Sequence, residues 1–225
     1  GGLFKTVNAG NSWNKVDGFD LAVNNAVSGV GSISISSIAI TRAGTIYVGT
    51  GGGIFEGGLS FEGSGVTSGD GIWYSQDDGE TFQQLDGTNG EDITKVIAAD
   101  TTVTNTIYYS GASLGVKKVV DLGTPSSVNG VPTATTGDIK VSNDGQVLIT
   151  GVSQGGQRTW VSQDGGNTWT DLHSNGQLTG SGAGRSEYAI SSFKNANGFY
   201  TLYACFVTNS GALKGVYRSI DNGTN

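Results

Sequence analysis

Short clusters of Ile, Val, Thr, Tyr and Trp alternate with clusters of Gly, Asn, Asp and Ser along nearly the whole chain, and no helical period is sustained. The clusters predict strands over Ile33–Ile40, Thr45–Gly49, Gly71–Tyr74, Thr94–Ala98, Thr106–Tyr109, Val116–Val120, Asp138–Val141, Gln146–Thr150, Thr159–Val161, Tyr188–Ser192, Tyr200–Val207 and Gly215–Tyr217. Asp144-Gly145 and Asn197-Gly198 separate neighbouring runs, which predicts two-residue hairpin turns with positive φ. Many short strands with regular turns give an all-β sandwich, barrel or propeller.

An internal repeat decides among these. Ser75-Gln76-Asp77-Asp78-Gly79-Glu80-Thr81-Phe82 returns as Ser162-Gln163-Asp164-Gly165-Gly166-Asn167-Thr168-Trp169. A weaker copy runs from Thr6 to Trp13 with Asn8, Gly10 and Trp13 at the matching places, and a partial one holds Ser219, Asp221 and Gly223. An Asp at the head of a tight turn accepts backbone N–H groups, and a Gly two places on admits a left-handed backbone. The closing aromatic is expected to bury a large face. Asp77 and Asp164 are therefore read as holders of turns rather than as catalysts or metal ligands.

The repeat resembles the Asp-box, or bacterial neuraminidase repeat, of sialidase-like and sortilin-like β-propellers. The resemblance implies four-stranded antiparallel blades, with each box joining a third strand to a fourth on the rim. It divides the chain into the end of a preceding blade (1–30), a blade (31–90), a blade without a box (91–130), a blade (131–178) and an incomplete blade (179–225). Both ends supply a third strand with its box, so about four blades of a longer propeller of six to eight are expected.

Composition narrows the function. Glycine supplies 39 of 225 residues, charged residues are 14 % and net charge is −7. An acidic chain without a basic stripe is a poor nucleic-acid binder. No apolar run approaches the ~20 residues of a membrane helix. The low charge fits a secreted or cell-surface protein of a bacterium. Cys205 stands alone, so no intrachain disulfide forms, and it is read as a buried small hydrophobe.

Enzymatic motifs find little support. The resemblance to sialidases would call for an arginine triad announced by Arg-Ile-Pro, and none of Arg42, Arg158, Arg185 and Arg218 has that context. Xyloglucanase-like propellers carry a catalytic Asp after the Thr that ends a second strand; here Gly51 follows Thr50. Gly111-Ala112-Ser113-Leu114-Gly115 matches a nucleophile elbow, but strands flank it on both sides, so it reads as a hairpin. His173 is the only histidine and is placed on an outer strand, away from any triad or zinc site. Lys117-Lys118 reads as a surface pair. No cofactor or metal is expected.

Two loops remain, Gly176–Gly184 and the long insertion Gly49–Asp70. The latter carries Phe55, Phe61, Glu56, Glu62 and Asp70 among glycines. Aromatics beside carboxylates suit sugar rings or a basic protein surface. These five residues are the candidate ligand contacts of a protein- or glycan-binding propeller without catalysis of its own. The alternatives are part of a propeller glycoside hydrolase, or a periplasmic or organellar assembly factor of the same fold.

Overall fold

The computed structural model describes residues 2–26, 34–51, 69–99, 105–134, 136–153, 157–178, 185–208 and 210–225. A leading hairpin, β1 (Phe4–Lys5) and β2 (Asn14–Lys15), runs into α1 (Asp17–Ala26). Blade 1 holds β3 (Ile35–Ile40), β4 (Ile46–Thr50), β5 (Ile72–Ser75) and β6 (Gln83–Gln84). Blade 2 holds β7 (Ile93–Ala99), β8 (Thr106–Gly111), β9 (Gly115–Val120) and β10 (Ser126–Ser127). Blade 3 holds β11 (Thr136–Val141), β12 (Leu148–Ser153), β13 (Gln157–Ser162) and β14 (Thr170–Asp171). Blade 4 holds β15 (Ser186–Ile190), β16 (Leu202–Val207) and β17 (Leu213–Ser219). Within each sheet the strands pair antiparallel in chain order. The first strand of each blade packs on the first strand of the next, so β3, β7, β11 and β15 lie innermost. This is the propeller arrangement.

Burial explains the strand sequences. All six residues of β8 are buried, because blades cover it on both faces, and it reads as a continuous run (Thr-Ile-Tyr-Tyr-Ser-Gly). Strand β16 alternates instead: Leu202, Ala204 and Phe206 face blade 3, while Tyr203 is exposed. Cys205 shares that outer face and is only half-buried, contrary to the buried position expected. The apolar core divides into four clusters, one per junction between neighbours. Stability is then a sum of nearest-neighbour contacts along the arc.

The hairpin turns differ from the expected two-residue form. At Thr41–Thr45 and Asn195–Phe199 the first N–H donates to the last carbonyl, at 3.0 and 2.8 Å. At the third turn Gly145 has positive φ (72°) and Asp144 does not; in these two loops only Gly44 and Gly198 have it (83° each), and Asn197 does not. These are three-residue loops with one left-handed glycine, the next commonest hairpin connection.

Helix α1 was not anticipated. Phe19 and Val23, one turn apart, pack with Val16 against Val48, Trp73 and Phe82. Gly18 sits so close to the backbone of Glu80 that a Cβ would lie 2.1 Å from its carbonyl oxygen. No helix among the described residues is long and apolar enough to cross a membrane.

The repeat forms the same turn four times. Ser75 Oγ donates to Asp77 Oδ1 (2.7 Å) and accepts from Gly79 N–H (2.9 Å). Asp77 then accepts Thr81 N–H on Oδ1 (2.9 Å) and Thr81 Oγ1 on Oδ2 (2.6 Å). Ser162, Asp164, Gly166 and Thr168 repeat these bonds at 2.8, 2.9, 2.9 and 2.6 Å. Ser219, Asp221 and Gly223 do the same, with Asn225 N–H and Nδ2 in the Thr position. In the first copy the Asn8 amide oxygen accepts Ser12 N–H (2.9 Å), and Thr6 Oγ1 accepts Gly10 N–H (3.0 Å).

Each turn also seats on the preceding unit. Its fourth residue is left-handed (Asp78, Gly165 and Asn222, φ 59°, 68° and 59°). The carbonyl there accepts a side-chain donor from the preceding unit: Lys5 Nζ at 2.8 Å, Tyr108 Oη at 2.5 Å and Gln163 Nε2 at 3.3 Å. The closing aromatic packs backwards too, Phe82 edge-on to Phe19 at 5.3 Å and Trp169 in the cluster of Tyr108 and Val128. Trp13, expected to be buried, is 60 % exposed, because no unit precedes it among the described residues. Blade 2 lacks the turn, and there the partner is missing: Tyr47 occupies the place of Tyr108, pairing with Tyr74 as Tyr108 pairs with Lys118. Its buried hydroxyl has no hydrogen-bond partner among the described residues.

Candidate functional site

Because the strands alternate in direction, the turns leave one end of the blades, and the links between blades leave the other. The insertion after β4 shares the link end. Its feet pass through a slot one backbone wide. A Cβ on Gly69 would lie 2.5 Å from Asp92 Cα, and one on Gly71 would lie 2.1 Å from the Thr88 carbonyl oxygen. Thr50 Oγ1 closes the base, donating to the Gly71 carbonyl (2.8 Å) and accepting Asp70 N–H (2.8 Å). Phe55, Glu56, Phe61 and Glu62 lie outside the described residues. Asp70 is described and half-buried: its backbone carbonyl accepts Gln84 Nε2 (2.7 Å), while carboxylate Oδ2 is buried without a hydrogen-bond partner among the described residues. Burial raises its pKa, with hydrogen bonds from Gln84 and Gly90 opposing.

Gly51 has the same tight surroundings. Its φ is 149°, and a Cβ there would lie 1.9 Å from Asp92 Oδ1 and 2.8 Å from both the N and O of Ile93. The place after Thr50 is closed to any side chain in this backbone.

The neighbouring polar groups are engaged with one another. Glu91 accepts Tyr109 Oη at 2.8 Å and forms an ion pair with Lys117. Burial, reinforced by the Glu91 carboxylate, pushes the Tyr109 hydroxyl far above its ordinary pKa. Of the expected surface pair, Lys117 is thus tied to Glu91, and Lys118 lies 5.4 Å over the ring of Tyr108. Register unites these residues, because β8 and β9 place Tyr109 opposite Lys117. Within blade 3, Arg158 meets Asp171 (2.5 Å) and Ser174 Oγ (2.5 Å). His173 follows β14 in a turn rather than lying on a strand. Its Nε2 is buried without a partner among the described residues, and burial lowers its pKa against the pull of Asp171.

Inside the arc, Asp138 is 2 % exposed, pairs with Lys140 and accepts Tyr188 N–H at 3.0 Å, tying β11 to β15. A cavity of about 110 Å³ lies between blades 3 and 4, lined by Ile149, Leu172, Leu178, Leu202 and Tyr217 among others. It is an apolar gap in a junction. Ser113 tops the β8–β9 turn at φ 59°, with strands on both sides. No three His, Cys, Asp or Glu side chains among the described residues are grouped to hold a metal ion. Gly10, Gly79, Gly166 and Gly223, with their Asp or Asn partners, stand at the opposite end of the blades from Asp70.

No protein family and no curated protein matches the sequence. Solved structures do. The chain is similar to an ancestral GH74 enzyme (TM-score 0.62, 18 % identity, 97 % of this chain and 30 % of that one). It is also similar to the GH74 xyloglucanase from Xanthomonas campestris (TM-score 0.57, 14 % identity, 97 % and 32 %). A third likeness is to the Dos1 propeller (TM-score 0.53, 14 % identity, 84 % and 52 %). The chain thus spans 30 % and 32 % of the two GH74 proteins. At these identities the likeness establishes the fold, and the chain is an arc of β-propeller blades.

Proposed function

We infer that this arc belongs to a secreted or cell-surface Asp-box propeller that binds a protein or glycan without catalysing its turnover. The observation that carries the reading is the closed space at Gly51. The xyloglucanase-like propellers that the sequence resembles place a catalytic Asp after this threonine. Here a side chain would collide with Asp92 and the Ile93 backbone. The four turns with one hydrogen-bond pattern support the Asp-box resemblance. The link end is the binding end of this reading, because the insertion and Asp70 stand there.

Two measurements test it. A glycan array and a xyloglucan hydrolysis assay should give binding without release of reducing sugar. Release at enzymatic rates overturns the reading. Replacing residues 52–68 with Asn-Gly, keeping the Gly51 and Gly69 feet, should leave the melting temperature near that of the parent and abolish the array signal. Unchanged binding removes the insertion from the site. A blank array for the parent makes the partner a protein.

A further inference from the structure

Five Asn-Gly pairs stand in the turns and links of the chain: Asn89-Gly90, Asn129-Gly130, Asn175-Gly176, Asn197-Gly198 and Asn222-Gly223. Such a pair has a chemistry of its own. The peptide nitrogen of the glycine can attack the side-chain amide carbon of the asparagine, because the glycine has no side chain to obstruct the ring that forms. Both partners must be loose for this. The glycine N–H has to give up its proton, and the asparagine amide has to swing over its own backbone. A hydrogen bond on either one slows ring closure.

Four of the pairs are held. Gly223 N–H donates to Ser219 Oγ (2.8 Å), and the Asn222 amide oxygen accepts Tyr200 N–H (2.7 Å). Gly198 N–H donates to the Asn195 carbonyl (2.9 Å). Gly176 N–H donates to the His173 carbonyl (3.4 Å), and the Asn175 side chain binds Gln177 through its oxygen (3.1 Å) and through Nδ2. Gly90 N–H donates to the Asp70 carboxylate, and Asn89 Nδ2 donates to Gln84 Oε1 (3.5 Å).

Asn129-Gly130 is the exception. It lies at the link end, between β10 and β11, and both residues are exposed. Blades 2 and 3, which this link joins, are complete four-stranded sheets inside the arc. Neither the Asn129 side chain nor Gly130 N–H makes a hydrogen bond among the described residues. Gly130 is left-handed (φ 91°), and a Cβ there would come no closer than 3.6 Å to Trp169. The chain is fastened on both sides of the pair. Val128 N–H donates to the Val116 carbonyl (3.1 Å), and the Ala134 carbonyl accepts Gly115 N–H (2.9 Å). Ring closure therefore turns only the short stretch between these anchors and leaves the blades intact.

We propose that Asn129 is a site of spontaneous modification in the folded protein, where it converts to aspartate and isoaspartate. Gly130 N loses its proton to solvent base and bonds to Asn129 Cγ. The Cγ–Nδ2 bond breaks, and the nitrogen leaves as ammonia with a proton taken from solvent. Water then opens the imide. Attack at Cγ gives aspartate on an unchanged backbone. Attack at the Asn129 backbone carbonyl carbon gives isoaspartate, with the chain running through the former side chain. Either product places a new carboxylate at the link end of an already acidic chain.

Ageing the folded chain at mildly alkaline pH, followed by tryptic mapping and mass spectrometry, tests this. Cleavage after Lys118 and Lys140 releases a peptide whose only asparagine is Asn129. Its gain of the mass difference between amide and acid should run about tenfold faster than at Asn197 or Asn222, the factor that one hydrogen bond to be opened first imposes. In heavy-oxygen water the new acid should carry the label. Unfolded in urea, all five pairs should react at similar rates, because the bonds that rank them are gone. Asn129→Gln, a change at an exposed side chain, should keep the melting temperature and remove the acidic form that ageing adds on anion exchange. A folded chain in which Asn129 persists, or in which another Asn-Gly pair reacts first, overturns the proposal. So does an acidic form that grows as fast in Asn129→Gln as in the parent.

Discussion

Gly166→Ala should lower stability by about 2–4 kcal/mol, and the same change at Gly10 by only about 1–2 kcal/mol. Both glycines hold the same place in the turn with left-handed backbone, φ 79° and 88°, so alanine is strained at either. The difference lies in what stands beyond the Cα. At Gly166 a Cβ would lie 2.9 Å from Tyr108 Cε1 and 3.0 Å from its Oη. Tyr108 cannot retreat: it is 1 % exposed, and its hydroxyl is held by the neighbouring Gly165 carbonyl. At Gly10 nothing but the exposed Trp13 is near. For a domain of this size the Gly166 variant should melt roughly 5–15 °C below the parent, about twice the Gly10 effect. Equal losses at the two positions would mean that backbone strain alone sets the cost and that the turn is not a seat between blades.

The contrast also separates what the sequence carried from what it withheld. The turn is local, since eight residues contain every donor and acceptor it uses, so its chemistry was readable from Ser75 to Phe82 without a fold. The strands were readable because short β-branched and aromatic clusters recur between turns. Helix α1 was not. Asp17–Ala26 has a glycine at its second place and two asparagines near its end, weak helix formers both. It forms because Phe19 and Val23 dock on Val48, Trp73 and Phe82, which lie up to 63 residues downstream. The outer strands β6, β10 and β14 have two residues each and leave no periodic trace. Within the candidate site, Asp70 could be picked from the insertion. The union of Glu91, Tyr109 and Lys117 could not, because it needs the β8–β9 register and a link that brings Glu91 across 26 residues.

Acid should unfold this protein between about pH 4 and pH 2, with little change in stability from pH 7 to pH 5. Hydrogen bonds from the Thr81 hydroxyl and N–H, and from Ser75, hold the Asp77 pKa down to about 2. Burial alone would raise Asp144, but Ser142, Lys194 and Gln146 N–H outweigh it and also hold it at about 2. Asp164 and Asp221 are lowered by the same kind of bonds. A carboxylate whose folded pKa is depressed contributes stability above its unfolded pKa, near ~3.9, and loses it as pH falls through the folded value. Four such groups act in one direction. Asp70, raised by burial, acts in the other direction, and His173, lowered by burial, begins to lose its own contribution as pH falls through the unfolded value of about 6.5. The urea midpoint should therefore fall only slightly from pH 7 to pH 5, through the one histidine, and drop steeply below pH 4. Asp77→Asn supplies the control, and the chain already contains its precedent. Asn8 occupies that place in the first turn, and its amide oxygen still accepts Ser12 N–H at 2.9 Å. An asparagine there keeps the acceptor and cannot titrate. The Asp77→Asn midpoint should sit below the parent at pH 7, and the gap should narrow as pH falls from 4 toward 2. If the gap between the two stays constant across that range, the turn carboxylates are not what acid removes.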